Sequence, residues 1–107
     1  MVVSTPYYAV IFTSRLTSVG EGYDQMARKM VDLANTQPWF LGVESARDDH
    51  SGITISDWES LDSIAAWKEH AEHLVAQKTG QSTWYQRYSV RIARVEREYE
   101  FLRKADE

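Results

Sequence analysis

The sequence predicts an α+β fold whose elements follow the order β-α-β-β-α-β. Three observations lead there. Two stretches carry apolar residues at helical spacing, two strand-like stretches are joined by a run of turn residues, and β-branched, aromatic stretches stand near both ends of the chain.

From Tyr7 to Arg15 the residues are β-branched and aromatic, and both alternating sets are apolar: Tyr8, Val10 and Phe12 on one, Tyr7, Ala9 and Ile11 on the other. A strand apolar on both faces is expected inside a sheet and covered on both sides. After Gly20 and Gly22, the spacing of Tyr23, Met26, Ala27, Met30, Leu33 and Ala34 predicts an amphipathic helix that ends before Pro38. Trp39 to Asp49 alternates Phe40, Gly42, Glu44 and Ala46 against Leu41, Val43, Ser45 and Arg47. Asp48-Asp49-His50-Ser51-Gly52 then supplies a turn before Ile53 to Trp58, which makes a hairpin. Ser60 is a good N-cap and Asp62 suits the positive end of a helix dipole, so a second helix is expected from Leu61 to about Lys78, closed by Gly80.

Gln81 to Arg87 reads as a polar-aromatic linker, and the last strand as running from Tyr88 to about Phe101. Its apolar set changes phase midway, from Tyr88, Val90 and Ile92 to Ala93, Val95, Tyr99 and Phe101. A bulge, or a strand leaving its own sheet to pack on a partner's, would explain the switch. The order is the ferredoxin-like plan, in which two helices cover one face of a four-stranded antiparallel sheet. Because the first strand is apolar on both sides, a second copy is expected to cover the other face and close a dimeric α+β barrel.

Length and composition bound the function. The 107 residues are read as a single domain, 1–107, with its core over about 7–101, and a chain this short buries only about two-thirds of its extended surface. The formal net charge of −4 lacks the basic field that nucleic acids and anionic membranes reward, so neither is an expected partner. With no cysteine, thiolate chemistry and Cys-ligated metals are excluded. The longest apolar run, Tyr7 to Phe12, is far short of the ~20 residues that span a bilayer, and a cytoplasmic location is expected. No phosphate loop, dinucleotide fingerprint or nucleophile elbow occurs among the glycines.

The chemistry-bearing candidates are few. Ile64, Trp67, Ala71 and Leu74 form one helical stripe with His70 at its border and His73 further round. Aromatic stripes usually pack as core, and the alternative is that Trp67 walls a pocket. His70 and His73 lie one turn apart, and a neutral imidazole is a natural base near neutral pH, though His-x-x-His on an exposed helix is common and no metal is expected. Trp84, Tyr85 and Tyr88 could form a ring-lined wall suited to planar aromatics, or simply cover the end of the barrel. Arg91 shares a strand face with Ser89 and Arg87, where it could hold an oxyanion or serve as an interface charge.

Three stretches carry a resemblance: Thr13-Ser14-Arg15-Leu16-Thr17, Gln37-Pro38-Trp39-Phe40-Leu41-Gly42, and Trp58-Glu59-Ser60-Leu61-Asp62-Ser63 leading to Trp67 and His70. Over roughly residues 7 to 101 they resemble the antibiotic biosynthesis monooxygenase family. The resemblance implies a dimeric α+β barrel with a pocket in each subunit between sheet and helices, lined here by Ser14, Trp58, Trp67 and Trp84. It implies cofactor-independent oxidation by O2 of a small electron-rich aromatic such as a quinol or anthrone. His70 or His73 would be the base and Arg91 or Tyr85 the polar partner. The haem-degrading branch of the family combines an Asn, a Trp and a His, where this chain has Ser14, Trp67 and Gln77, so no cofactor is expected. Haem binding through His70 or His73 stands as an alternative, as does a non-catalytic barrel that binds a small apolar ligand.

Overall fold

In a computed structural model, residues 4–17, 23–76 and 84–104 are described, with side chains in the second helix described as far as residue 71. The expected glycines at 20, 22 and 80, the helix end at Lys78 and the stretch 81–83 lie outside the described residues. The elements follow the expected order: β1 (Tyr7–Leu16), α1 (Tyr23–Asn35), β2 (Phe40–Arg47), β3 (Ser51–Trp58), α2 (Leu61–Ala76) and β4 (Tyr85–Val95). The strands form one antiparallel sheet in the order β2-β3-β1-β4, so β1 lies inside it as its doubly apolar pattern demands.

Local chemistry sets the element ends. The last carbonyls of α1 are taken up by tight-turn bonds, from Thr36 N to Leu33 O and from Gln37 N to Ala34 O, both at 3.0 Å, before Pro38 stops the helix. At α2 the N-cap is reciprocal: Ser63 N donates to Ser60 Oγ at 3.1 Å, and Ser60 N donates to Ser63 Oγ at 3.2 Å. The hairpin turn is an Asx turn, in which Asp48 Oδ1 accepts from His50 N at 2.8 Å and Ser51 N at 2.7 Å. Those two backbone bonds, Ser51 first, hold the Asp48 carboxyl below its ordinary range.

Directly paired residues share a face of the sheet, so register assigns every side chain. Tyr8, Val10, Phe12, Ser14 and Leu16 of β1 lie on the helix side with Trp58, and Tyr7, Ala9, Ile11, Thr13 and Arg15 lie on the open side. The helices sit over β2 and β3. The core gathers there, with Ala34, Trp58 and Ile64 buried and Tyr8, Val10, Phe40 and Trp67 packed against them.

Three expectations need correction. First, β4 begins at Tyr85 and ends at Val95, so Tyr85 belongs to the strand, not to a linker, and residues 96–104 form no strand. Val95 pairs with Tyr7, the first residue of β1, and beyond that point the sheet offers β4 no neighbour to bond. Second, no bulge falls where the apolar set changes phase. Pairing runs unbroken from Val95 to Arg87, and the one shift comes at Gln86, between Arg15↔Arg87 and Leu16↔Tyr85. The apolar residues change face because Tyr88, Val90 and Ile92 lie on the helix side, whereas Ala93 and Val95 lie on the open side. Third, a shift at Leu41 turns Phe40 away from Gly42, Glu44 and Ala46 and sets it opposite Trp58 on the helix side.

Candidate functional site

Two groups of rings occupy the helix-side face. In the core, Trp58 is fully buried, with Trp67 stacked on it at 5.4 Å and Phe40 edge-on at 5.2 Å. Its indole N–H donates to Ser56 Oγ at 2.9 Å, so the buried indole is satisfied. Trp58 and Trp67 therefore pack as the apolar stripe of α2 against the end of β3.

At the other end of β1 a second group forms around Phe12. Tyr88 stacks on Phe12 at 5.4 Å, Tyr85 meets it edge-on at 5.8 Å, and the two tyrosine rings lie 5.4 Å apart. Tyr23, at the start of α1, stands edge-on to both Tyr85 and Trp84 at 5.8 Å. Simple alternation would put Tyr85 and Tyr88 on opposite faces, and the extra residue Gln86 brings both to the helix side.

Polar groups rim this second cluster. Arg47 Nη1 donates to the Tyr23 hydroxyl at 2.9 Å, and its guanidinium lies 5.1 Å from the Tyr23 ring centre. Burial, with a hydrogen bond to Tyr23, pushes the Tyr85 phenol well above its ordinary range, so it is a neutral group at any physiological pH. Ser14 is buried, at 8% exposure, and its Oγ has no hydrogen-bond partner among the described residues.

The structure thus brings together Ser14, Trp84 and Tyr85 of the expected site residues, and sets Trp58 and Trp67 in the core group. Arg91 pairs with Ile11 and Ser89 with Thr13, which places both on the open face, away from the rings. His70 is exposed on α2; His73 lies on the same helix with its side chain outside the described residues. Among the described residues no group of three or more His, Cys, Asp or Glu side chains converges as a metal site. No described helix is long and apolar enough to cross a membrane.

Four residues of the cluster were not among the expected site residues: Phe12, Tyr23, Arg47 and Gly52. Gly52 was the legible one, since a glycine at the start of a strand often marks the close approach of another group. A Cβ there would lie 2.5 Å from Arg47 Nη1 and 2.6 Å from its Cζ.

No family profile matches the chain. The uncharacterized protein YqjZ of Bacillus subtilis (strain 168) is 51% identical over 94 residues, which cover 87% of this chain and 82% of that protein. Among solved structures, a variant of SnoaB, a cofactor-independent oxygenase from Streptomyces nogalater, superposes with a TM-score of 0.67 at 10% identity. It covers 94% of this chain and 98% of its own. PA3566 from Pseudomonas aeruginosa gives a TM-score of 0.67 at 17% identity, covering 89% of this chain and 97% of its own. A further antibiotic biosynthesis monooxygenase structure gives 0.63 at 15% identity, covering 86% and 99%. At 51% identity the chain belongs to one family with YqjZ, and its fold is that of the antibiotic biosynthesis monooxygenase domain family.

Proposed function

We propose that this protein is a cytoplasmic, cofactor-independent monooxygenase of the antibiotic biosynthesis type, acting on a small planar electron-rich aromatic of the quinol or anthrone kind. The observation that carries the reading is the ring cluster of Phe12, Tyr23, Trp84, Tyr85 and Tyr88, with the neutral Tyr85 phenol and a guanidinium at its rim. The likeness to SnoaB, itself a cofactor-independent oxygenase, supports it.

The reaction balances without a cofactor. A base on α2, His70 or His73, takes a proton from an acidic ring methylene, and the carbanion gives one electron to O2. Superoxide and the carbon radical join as a hydroperoxide, which loses water to leave a carbonyl. One methylene and one O2 thus become one carbonyl and one water. Hydrogen-bond donors aimed at the developing enolate oxygen lower the barrier most in a site lined by rings and shielded from water. Metal-free protein should consume oxygen with members of a quinol and anthrone panel and incorporate one atom of 18O2. Uptake no faster than background would overturn the oxygenase reading. A second reading, ligand binding without turnover, is favoured by the absence of His, Asp and Glu from the ring cluster among the described residues. A ligand held unchanged in air in a native mass spectrum would support it.

The same proposal takes the chain as a homodimer joined through the open face. Glu44, Ile55, Ile11 and Arg91 form one cross-strand row there, acid at one end, base at the other and apolar between. A two-fold axis along the strands, between β3 and β1, brings Glu44 toward the partner's Arg91 and isoleucine toward isoleucine. Tyr99, Phe101 and Leu102, all strongly exposed in one copy, would be covered in the same assembly. Light scattering at micromolar concentration should give twice the chain mass, E44R and R91E should each weaken the dimer, and the double exchange should restore it. A monomeric mass would overturn the assembly.

A further inference from the structure

We propose that Arg47, laid across Gly52, sets the class of ligand: a planar aromatic carrying an ionised oxygen, bound as the anion with that oxygen at the Arg47 edge of the ring cluster. This rests on the reading of the cluster as a ligand site and names what that site selects.

Register supplies the first support. Arg47 pairs with Gly52, Gly52 with Ser14, and Ser14 with Tyr88, so the four form one row across the helix-side face. Neighbouring strands lie about 4.8 Å apart, so Ser14 stands two strands, about 9.6 Å, from Arg47 with Gly52 between them. The path between them is open because position 52 has no side chain. A Cβ there would meet Nη1 at 2.5 Å, Cζ at 2.6 Å and Nη2 at 2.8 Å. The guanidinium thus lies flat over the glycine, pointing from the β2 edge toward β1.

Hydrogen-bond bookkeeping supplies the second. A guanidinium has five N–H donors and no acceptor, and it keeps its charge at any working pH. One donor goes to the Tyr23 hydroxyl, and among the described residues no carboxylate pairs with Arg47. Burial and a hydrogen bond with Tyr23 both raise the Tyr85 pKa, so that phenol stays neutral beside the guanidinium. Ser14 adds a buried hydroxyl without a partner among the described residues. Ser14 on β1 and Arg47 on β2 therefore set a buried hydroxyl and a fixed positive charge at one edge of a wall of rings. A neutral ligand would leave that charge unanswered, whereas an ionised phenolic or enolic oxygen answers it while the ring system stacks on Phe12, Tyr85 and Tyr88. For the proposed oxidation, the arrangement holds a bound phenol or anthrone as the electron-rich anion that reduces O2.

The test uses 2-hydroxyanthraquinone, whose ionised form absorbs at longer wavelength, and its methyl ether, 2-methoxyanthraquinone, which cannot ionise. With the full-length protein, the hydroxyl dye should bind about tenfold tighter than the ether, and the bound dye should ionise about one pH unit below the free dye. In R47M the two dyes should bind equally and the spectral shift should vanish. R47K, which keeps the charge but not the fork, should retain part of both. G52A leaves Arg47 in the chain and displaces only the far end of its flexible side chain, and it should lose the preference without a change in melting temperature. If both dyes bind equally to the unaltered protein, or if R47M keeps the preference, the proposal falls while the ring cluster stands as a ligand site. If neither dye binds, the reading of the cluster as a site fails and the proposal with it.

Discussion

The two ring groups on the helix-side face are built by the same device and serve different ends. Each depends on one extra residue in an edge strand, Leu41 in β2 for the core group and Gln86 in β4 for the second, and each extra residue swings a ring onto the helix side. In the core group the rings sit beneath the helices, and the indole N–H of the fully buried Trp58 is satisfied by Ser56. In the second group the rings lie toward the β4 edge, Tyr88 is 51% exposed, and among the described residues Ser14 Oγ has no partner and no carboxylate pairs with Arg47. A ring cluster packed beneath the helices is structure, and exposed ring faces beside an unpaired charge are what the proposed site requires. That contrast separates Trp67 from Tyr85, residues with equal claims on a pocket in sequence.

The contrast is broken most directly by removing one ring from each group. Trp58→Ala empties the largest fully buried side chain and should destabilise the fold by about 3–5 kcal/mol in urea unfolding. Tyr88→Ala removes a half-exposed ring and should change stability by no more than about 1 kcal/mol. Its larger effect should be on binding, with affinity for 2-hydroxyanthraquinone falling about five- to tenfold through the lost stacking surface. If the two variants destabilise equally and leave binding alike, the division into structure and site is wrong.

How much of this was legible in the sequence follows the range of the interactions. The element order, the Ser60 cap and the Asp48 turn are written in neighbouring residues, and their chemistry acts within a few positions. The central place of β1 was legible because both of its faces are apolar. That same property hid which face meets the helices, so Arg91 could be grouped correctly with Ser89 and Arg87 and still not be assigned to the open side. The bulges at Leu41 and Gln86 leave no local mark, since an extra residue is defined only against the strand it pairs with. The early end of β4 is likewise set by the length of β1, and not by anything after Val95. Arg47 read as the end of an alternating strand, and becomes a charge on a path only when register sets it beside Gly52.

The smallest effect is the sharpest on the polar rim. A buried hydroxyl without a partner forfeits its hydration, a loss of about 1–3 kcal/mol that a structural role would have to offset. If Ser14 Oγ belongs to the site, Ser14→Ala should leave the folded protein as stable or raise its stability by up to about 1 kcal/mol, because the methyl group carries nothing to desolvate. The same variant should weaken 2-hydroxyanthraquinone about threefold and 2-methoxyanthraquinone less, since an ionised oxygen is the stronger acceptor for the Ser14 hydroxyl. Denaturant unfolding and dye titration on one preparation read both effects. A Ser14→Ala protein that is destabilised by more than about 1 kcal/mol with dye binding intact would return that hydroxyl to the scaffold and leave Arg47 to carry the preference for the anion.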